Sequence, residues 1–388
     1  MATERIVSST ADTSPLDEQI NWSLRPTSME QYIGQRELVE RLSIAIAAAR
    51  ARGEPMEHLL LHGPPGLGKT TLAHVAAAEM GTKVYTTSGP ALSRGTDLVS
   101  ALTRLEQGDI LFIDEVHRVP IAVEEFIYPA MEDFRIDVPV DSGLHARTVQ
   151  IALKPFTLIG ATTRAGLVSA PLRSRFGITH HLRFYDVGDL LAILARSARL
   201  LGVEPDGQGP LELIATRARG TPRIANRLLR RVRDFAQVHA GRGVPTGTIG
   251  AGKSATGNSA AGKNTTSKSA TGARAPADIP RLSLSMVERA LALEGVDAMG
   301  LDELDRTYLK IIGTTYAGGP VGLEAVAATM NEDAGTLESV VEPYLLQLGF
   351  VARHRRGRML TRAGAGHVGV PAPADMIPGG NGELFDES

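Results

Sequence analysis

Gly63 to Thr70 read Gly-Pro-Pro-Gly-Leu-Gly-Lys-Thr, and about forty residues later the apolar run Leu111-Phe112-Ile113 ends in Asp114 and Glu115. The glycines let backbone N–H groups turn inward around an anion, where a Cβ would block the approach. The helix that follows adds its partial positive charge. In that setting Lys69 is expected between the β- and γ-phosphates of a nucleotide, with the Thr70 hydroxyl and, through water, Asp114 holding Mg²⁺. Glu115 is then placed to polarise an attacking water. The pair of motifs points to nucleotide hydrolysis, and the residues alone leave open a scaffold that binds nucleotide without turning it over.

Further candidates lie downstream. Thr157 to Thr163 form an apolar strand ending in two hydroxyls, so Thr163 either meets the attacking water or is an ordinary polar strand end. Arg173 and Arg175 flank Ser174 on a loop, where a cation offered to a neighbouring subunit's phosphate would act as an arginine finger. Gly220-Thr221-Pro222-Arg223 opens a helix, with Thr221 as N-cap and Pro222 at the first helical position. Arg223 therefore lies where it can reach back to a nucleotide. Near the C-terminus, five arginines between Arg353 and Arg362, with no acid among them, form a basic ribbon suited to nucleic-acid phosphates.

The elements that must carry these groups follow from patterning. The Lys69 loop sits between the strand-like run His58–Leu61 and the helix-like run from Thr71 to Ala78, the context such a loop requires. Strand-like runs recur at Leu59–Leu61, Lys83–Thr86, Ile110–Ile113, Phe156–Ile159 and His181–Tyr185, with helical segments between most of them. Alternation of this kind predicts a parallel sheet covered on both faces, with ligands at the carboxyl ends of its strands. Residues 135–153 predict a projecting hairpin, with Val138, Val140 and Leu144 near its tip; it is either a partner-docking surface or a hairpin packed on its own domain.

Composition and domain boundaries fill in the rest. The chain has 388 residues, net charge −2 and no cysteine, which excludes disulfides and thiolate metal sites and fits a cytosolic setting. No window approaches a membrane span. The segmentation reads as an unstructured start over 1–20, a large domain over 21–186, and a helical lid over 187–298. A flexible Gly/Ser/Lys-rich insertion is expected over 241–277, a compact head over 299–370 and a free tail over 371–388. In the head, helical runs Leu304–Thr314, Leu323–Met330 and Thr336–Leu348 precede the ribbon, the order of a winged helix.

The chain resembles the RuvB family of Holliday junction branch migration ATPases, of the AAA+ class. The likeness rests on Leu24-Arg25-Pro26, Tyr32 to Gln35, the phosphate loop, Asp114 to Arg118, Glu132-Asp133-Phe134, Gly160 to Arg164, Leu172 to Gly177, Gly220 to Arg233, Gly318 to Val321 and Gly357-Arg358-Met359. It covers nearly everything between 21 and 370. The family implies an α/β fold: an AAA+ parallel-sheet domain, a small helical lid and a C-terminal winged helix. It also implies a homohexameric ring that hydrolyses ATP with Mg²⁺ and moves double-stranded DNA at Holliday junctions. A RuvA-like junction-binding protein would dock on the hairpin, and a RuvC-like resolvase would share the complex.

By the same resemblance Leu24, Arg25 and Tyr185 enclose base and ribose, while Gly66, Lys69, Thr70 and Thr71 hold phosphate and metal. Thr163 becomes the first sensor, Arg175 the finger in trans and Arg223 the second sensor. Glu132, Asp133 and Phe134 belong to the nucleotide surroundings, and Arg353 and Arg358 to the DNA contact. The stretch 241–277 departs from the family pattern. Rival readings are a clamp-loader subunit, which calls for a collar-like C-terminal domain, and an ATP-gated DNA-binding regulator that does not translocate.

Overall fold

The computed structural model of the chain describes residues 22–139, 148–239 and 280–372. Its strands run β1 (Leu59–His62), β2 (Val84–Ser88), β3 (Ile110–Asp114), β4 (Arg135–Pro139), β5 (Thr148–Ala152), β6 (Thr157–Thr162) and β7 (Ile178–His181). Five of them form one parallel sheet in the order β2–β3–β6–β1–β7, while β4 and β5 pair separately as an antiparallel hairpin.

Burial explains why the central strands read as continuous apolar runs. Leu59, Leu61, Phe112 and Ile159 enter one core, with Leu38 and Leu72 from the helices Arg36–Arg52 and Lys69–Met80. Leu60, Leu111, Ile113 and Leu158 enter the other, against Leu98, Val123 and Ile127. Alternate residues thus face opposite covered sides. Each fully buried Leu or Ile contributes about 1.5–3 kcal/mol of transfer free energy, and the effect is to fix β1, β3 and β6 side by side with their carboxyl ends level.

The lid consists of the helices Val187–Leu200, Gly209–Thr216, Pro222–His239 and Leu284–Leu293. Leu228, Leu229 and Val232, with Ala225 and Ala236, form an i, i+3, i+4 stripe that joins the same core as Leu38 and Leu72. The lid therefore shares its apolar interior with one face of the sheet. A two-residue parallel pair, β8 (Glu204–Pro205) with β9 (Arg281–Leu282), ties its first helix to its last.

The head has its own core around Tyr308, Leu309, Ile312, Leu337 and Leu345. It is built from the helices Glu303–Thr314 and Leu323–Met330, a third helical segment, and the ribbon β10 (Val351–His354) and β11 (Gly357–Leu360); Val321 bridges to Arg358 as a third short partner. This is the winged-helix order expected from sequence.

Two expectations need correction. The last sheet strand is Ile178–His181, not His181–Tyr185, because the chain leaves the sheet at Leu182 and the Tyr185 N–H donates to the Gly220 carbonyl of the lid. The third helix of the head starts at Ala334 and is interrupted by a π segment, Leu337–Val341. At the hairpin, Ile136 is buried and Val138 packs partly onto the sheet core, leaving Val149 exposed. Val140 and Leu144, the segments 1–20 and 241–277, and the tail from 373 onward lie outside the described residues. Among the described residues no helix is long and apolar enough to cross a membrane.

Candidate nucleotide site and basic wing

The phosphate loop closes the gap between β1 and the helix Lys69–Met80. Gly63, Gly66 and Gly68 hold φ of +139°, +81° and +96°, the left-handed region that an L side chain resists. Lys69 is buried, and its ammonium donates to the carbonyls of Gly63 (2.8 Å) and Pro64 (2.9 Å). Burial pushes the Lys69 ammonium down to about 8, against the pull of Asp114 and Glu115, which raise it. A buried cation bonded only to carbonyls is a group held ready for an anion.

The acid pair sits at the carboxyl end of β3. Asp114 Oδ1 accepts the Glu115 N–H at 3.0 Å. Glu115 has φ of +50°, a conformation costing about 1–3 kcal/mol for a non-glycine residue. Gly89 abuts the Glu115 carbonyl so closely that a Cβ there would collide with it. The carboxylate is held on two sides: the Thr163 hydroxyl donates to Oε2 at 3.2 Å, and His117 Nδ1 lies 3.2 Å from the same oxygen. His117 also bonds the Thr162 hydroxyl at 2.8 Å, and burial lowers its pKa, so at neutral pH the ring is an uncharged spacer. Sequence reading gave His117 no role; its place two residues after Glu115, on the short turn Val116–Arg118, was the available signal.

Arg223 reaches the loop from the lid. Its N–H lies 3.4 Å from the Gly66 carbonyl, and a Cβ on Gly66 would come within 3.1 Å of the Arg223 Cβ. The Ala225 N–H donates to the Thr221 carbonyl, as expected for a helix starting there, while the Thr221 hydroxyl turns back to Ala218. On the other side of the loop, the Tyr185 hydroxyl bonds Tyr32 (3.2 Å) and the Leu67 carbonyl (3.3 Å), and burial drives its pKa far up. Leu24 is buried, with its carbonyl held by Arg196. Arg25 stacks over Trp22 at 4.4 Å and leaves Nη1 buried without a hydrogen-bond partner. That orphaned donor and the buried Lys69 fit a polyanionic nucleotide. Thr70 and Asp114 are oxygen donors of the type Mg²⁺ takes.

Arg175 belongs to a second group. Its guanidinium lies 4.3 Å over the Tyr128 ring, its Nε is 3.2 Å from Glu132 Oε1, and its Nη1 donates to the Pro171 carbonyl. Asp133 pairs with Arg135, and Phe134 packs edge-on against Phe156. Lys69, Asp114, Glu115, Thr163 and Arg223 are thus brought together, whereas Glu132, Asp133 and Phe134 gather around the Arg175 side of the domain.

On the wing, Arg353 and Arg358 face each other across the ribbon. Both bond Glu342, a fully buried carboxylate: Arg353 Nη2 at 2.8 Å, Arg358 Nε at 2.7 Å and Nη2 at 3.3 Å. The Tyr308 hydroxyl donates to it at 2.7 Å. Burial acts to raise the Glu342 pKa, but the bonds from Arg358, Tyr308 and Arg353 outweigh it and leave the carboxyl below its ordinary value. Ion pairs from two arginines outside the head reach into it. Arg219 reaches Asp302 (2.7 Å) and Asp305 (2.5 Å) between lid and head, and Arg164, next to Thr163, reaches Glu338 of the head at 2.8 Å. No sequence pattern had marked Glu342, Arg219 or Arg164 for these contacts.

Three family models match in chain order: the Holliday junction DNA helicase RuvB P-loop domain over residues 24–182, the RuvB AAA lid domain over 185–250, and the RuvB C-terminal winged helix domain over 298–369. The Holliday junction branch migration complex subunit RuvB of Desulfosudis oleivorans is 51% identical over 90% of this chain and 90% of its own. Its counterpart in Kosmotoga olearia is 48% identical over 91% and 92%. The solved Thermotoga maritima RuvB Holliday junction branch migration motor superposes with a TM-score of 0.75 at 44% identity, covering 90% of this chain and all of that one.

Proposed function

The chain belongs to the RuvB family, and on that premise we propose that it is an ATP-hydrolysing motor subunit, working as a homohexameric ring on double-stranded DNA. In this reading it drives branch migration of Holliday junctions in recombination and repair, in the cytoplasm, with a junction-binding partner. The observation that carries it is the division of the site. One protomer's phosphate loop, acid pair and Thr163 come together, while Arg175 is engaged by Tyr128, Glu132 and Pro171 instead, which supports its acting in the site of a second copy.

Lys69, Gly66 and Thr71 bind the phosphates, and Arg25, Leu24 and Tyr185 border the base and ribose. Mg²⁺ would be held by Thr70 and, through water, by Asp114, and would supply charge neutralisation at the phosphates. Glu115 accepts the proton of the attacking water. Thr163 and His117 fix the direction of its carboxylate, and the strained backbone at Glu115 keeps it aimed. Arg223 reports the nucleotide to the lid, and Arg175 stabilises charge in the neighbour's site, with Glu132, Asp133 and Phe134 lining that interface. Arg353 and Arg358 contact duplex phosphates.

A clamp-loader subunit is disfavoured by the winged helix at the C-terminal end. Strand exchange on a synthetic four-way junction with ATP, with and without the junction-binding partner, tests the proposal. ATP-dependent exchange is expected; ATP hydrolysis with no exchange under either condition would refute the motor.

A further inference from the structure

Glu342 is the only fully buried glutamate among the described residues, and its position calls for an explanation beyond packing. Its two oxygens receive four hydrogen bonds, Tyr308 and Arg358 Nε on Oε1 and the Nη2 groups of Arg353 and Arg358 on Oε2. That fills the acceptor capacity of a carboxylate. Arg358 is gripped along one edge of its planar fork, so its Nη1 side is turned away from Glu342. Arg353 is held by a single nitrogen and remains about half exposed. Like charges directly opposed on a ribbon repel, and one anion beneath two cations removes that repulsion while leaving the pair a net positive charge. The π segment Leu337–Val341 ends at Glu342, with Pro343 following, so the helix is distorted at the point where this side chain enters the core.

We propose that Glu342 is a positioning residue for DNA binding: its buried carboxylate aligns the Arg353 and Arg358 guanidiniums so that their free edges meet duplex phosphates. The proposal rests on the reading of the wing as the DNA contact. It makes a prediction opposite in sign to simple electrostatics. Were Glu342 only a counter-ion, its removal would raise the wing's positive charge and tighten DNA binding. As an aligner, its removal sets two long side chains free, and their rotamer entropy opposes each phosphate contact.

The test uses the full chain and duplex DNA, with affinity measured by anisotropy over a salt series. Arg358→Gln is expected to weaken binding and reduce the salt slope by about one. Glu342→Gln is expected to weaken it about tenfold, the loss of one charge-assisted bond, also with a shallower slope. The double variant, an amide pair with no buried charge, is expected to lose less than the product of the two single fold-changes. A merely structural role would lower the melting temperature and leave the two losses multiplicative.

If Arg358→Gln weakens binding while Glu342→Gln leaves it equal or tighter, or if the losses multiply, the proposal is overturned and the wing reading survives. If Arg358→Gln and Arg353→Ala both bind as the unsubstituted chain does, the wing reading fails and takes this one with it. Should Glu342→Gln not fold, Tyr308→Phe removes one donor from the same carboxylate and keeps every charge. A loss of affinity that is smaller in the Arg358→Gln background supports alignment, and an undiminished or absent loss overturns it.

Discussion

Replacing Arg175 by alanine isolates the claim that each protomer completes its neighbour's site. Before it can reach outward the guanidinium must leave Glu132 and the Tyr128 ring. The Arg175 side chain is 22% exposed and that of Glu132 55%, so solvent screening holds the ion pair to about 0.2–1 kcal/mol. The ring contact adds about 0.5–1 kcal/mol. The hydrogen bond to the Pro171 carbonyl adds about 0.5–1.5 kcal/mol, so release costs about 1–3.5 kcal/mol, whereas an arginine finger lowers the barrier by about 4–7 kcal/mol, a factor of about 10³–10⁵ in turnover. The gain exceeds the cost, so the folded-back arrangement is compatible with a finger. Arg175→Ala is expected to keep ATP affinity within about threefold and to lose about 10³ in kcat. The decisive assay mixes subunits. Glu115→Gln and Arg175→Ala are each inactive alone, and in random rings from an equal mixture about one quarter of the sites pair an intact Glu115 with an intact Arg175. Turnover should return to about that fraction of the unsubstituted level if sites act independently. A finger acting within its own protomer gives no recovery, and that result would refute the trans arrangement.

Three other expectations follow from titration and domain contacts. Nucleotide binding needs the charged form of Lys69, whose pKa in the free site is about 8; ATP affinity should fall by up to about tenfold per pH unit above that value, and a flat calorimetric profile to pH 9.5 would contradict it. Burial raises the Asp305 carboxyl to about 7, with Asp302 adding to the rise and Arg219 opposing it. The folded chain then binds more protons than the unfolded chain between about pH 4 and 7, so this group's stabilisation is lost as pH rises through 7, by at most about 1.4 kcal/mol per unit. Thermal melts of Asp305→Asn should lack that slope, and equal slopes in both proteins would dismiss it. Arg164→Glu should reduce stimulation of ATP turnover by duplex, with Glu338→Arg restoring it; the pair is over a third exposed, so its stability effect should stay below about 1 kcal/mol, and failure of the swap would exclude a direct role.

The sheet and the backbone of the Gly63–Thr70 loop were legible in sequence because local rules determine both. Apolar runs at β1, β3 and β6 can only be strands covered on two sides, and the loop Gly63–Thr70 dictates its own backbone. The strand misplaced at His181–Tyr185 was apolar enough, but its backbone donor is taken by Gly220, thirty-five residues on. No window of sequence carries that competition. The same holds for His117, whose partner Thr162 arrives from another strand, and for Glu342, which reads as an ordinary surface acid until Tyr308, Arg353 and Arg358 close around it. Charged residues whose function depends on long-range partners are invisible to periodicity.

Those long-range contacts are continuous in one protomer. The Glu115 carboxylate is held by Thr163; the next residue, Arg164, is paired with Glu338; four residues on, just past the π segment, Glu342 holds the wing arginines. A displacement of Thr163 when the γ-phosphate leaves would act on a helix whose hydrogen bonding is already irregular at Leu337–Val341, where a change of register costs less than in a regular turn. Close packing of Leu337 and Val341 in the head core resists gradual deformation, so the segment favours discrete arrangements. The lid adds a second tie, since Arg219 lies four residues before Arg223 and is locked to Asp302 and Asp305 of the head. On the reading proposed above, Thr163 and Arg223 thus each lie near a contact to the head, one from the sheet domain and one from the lid.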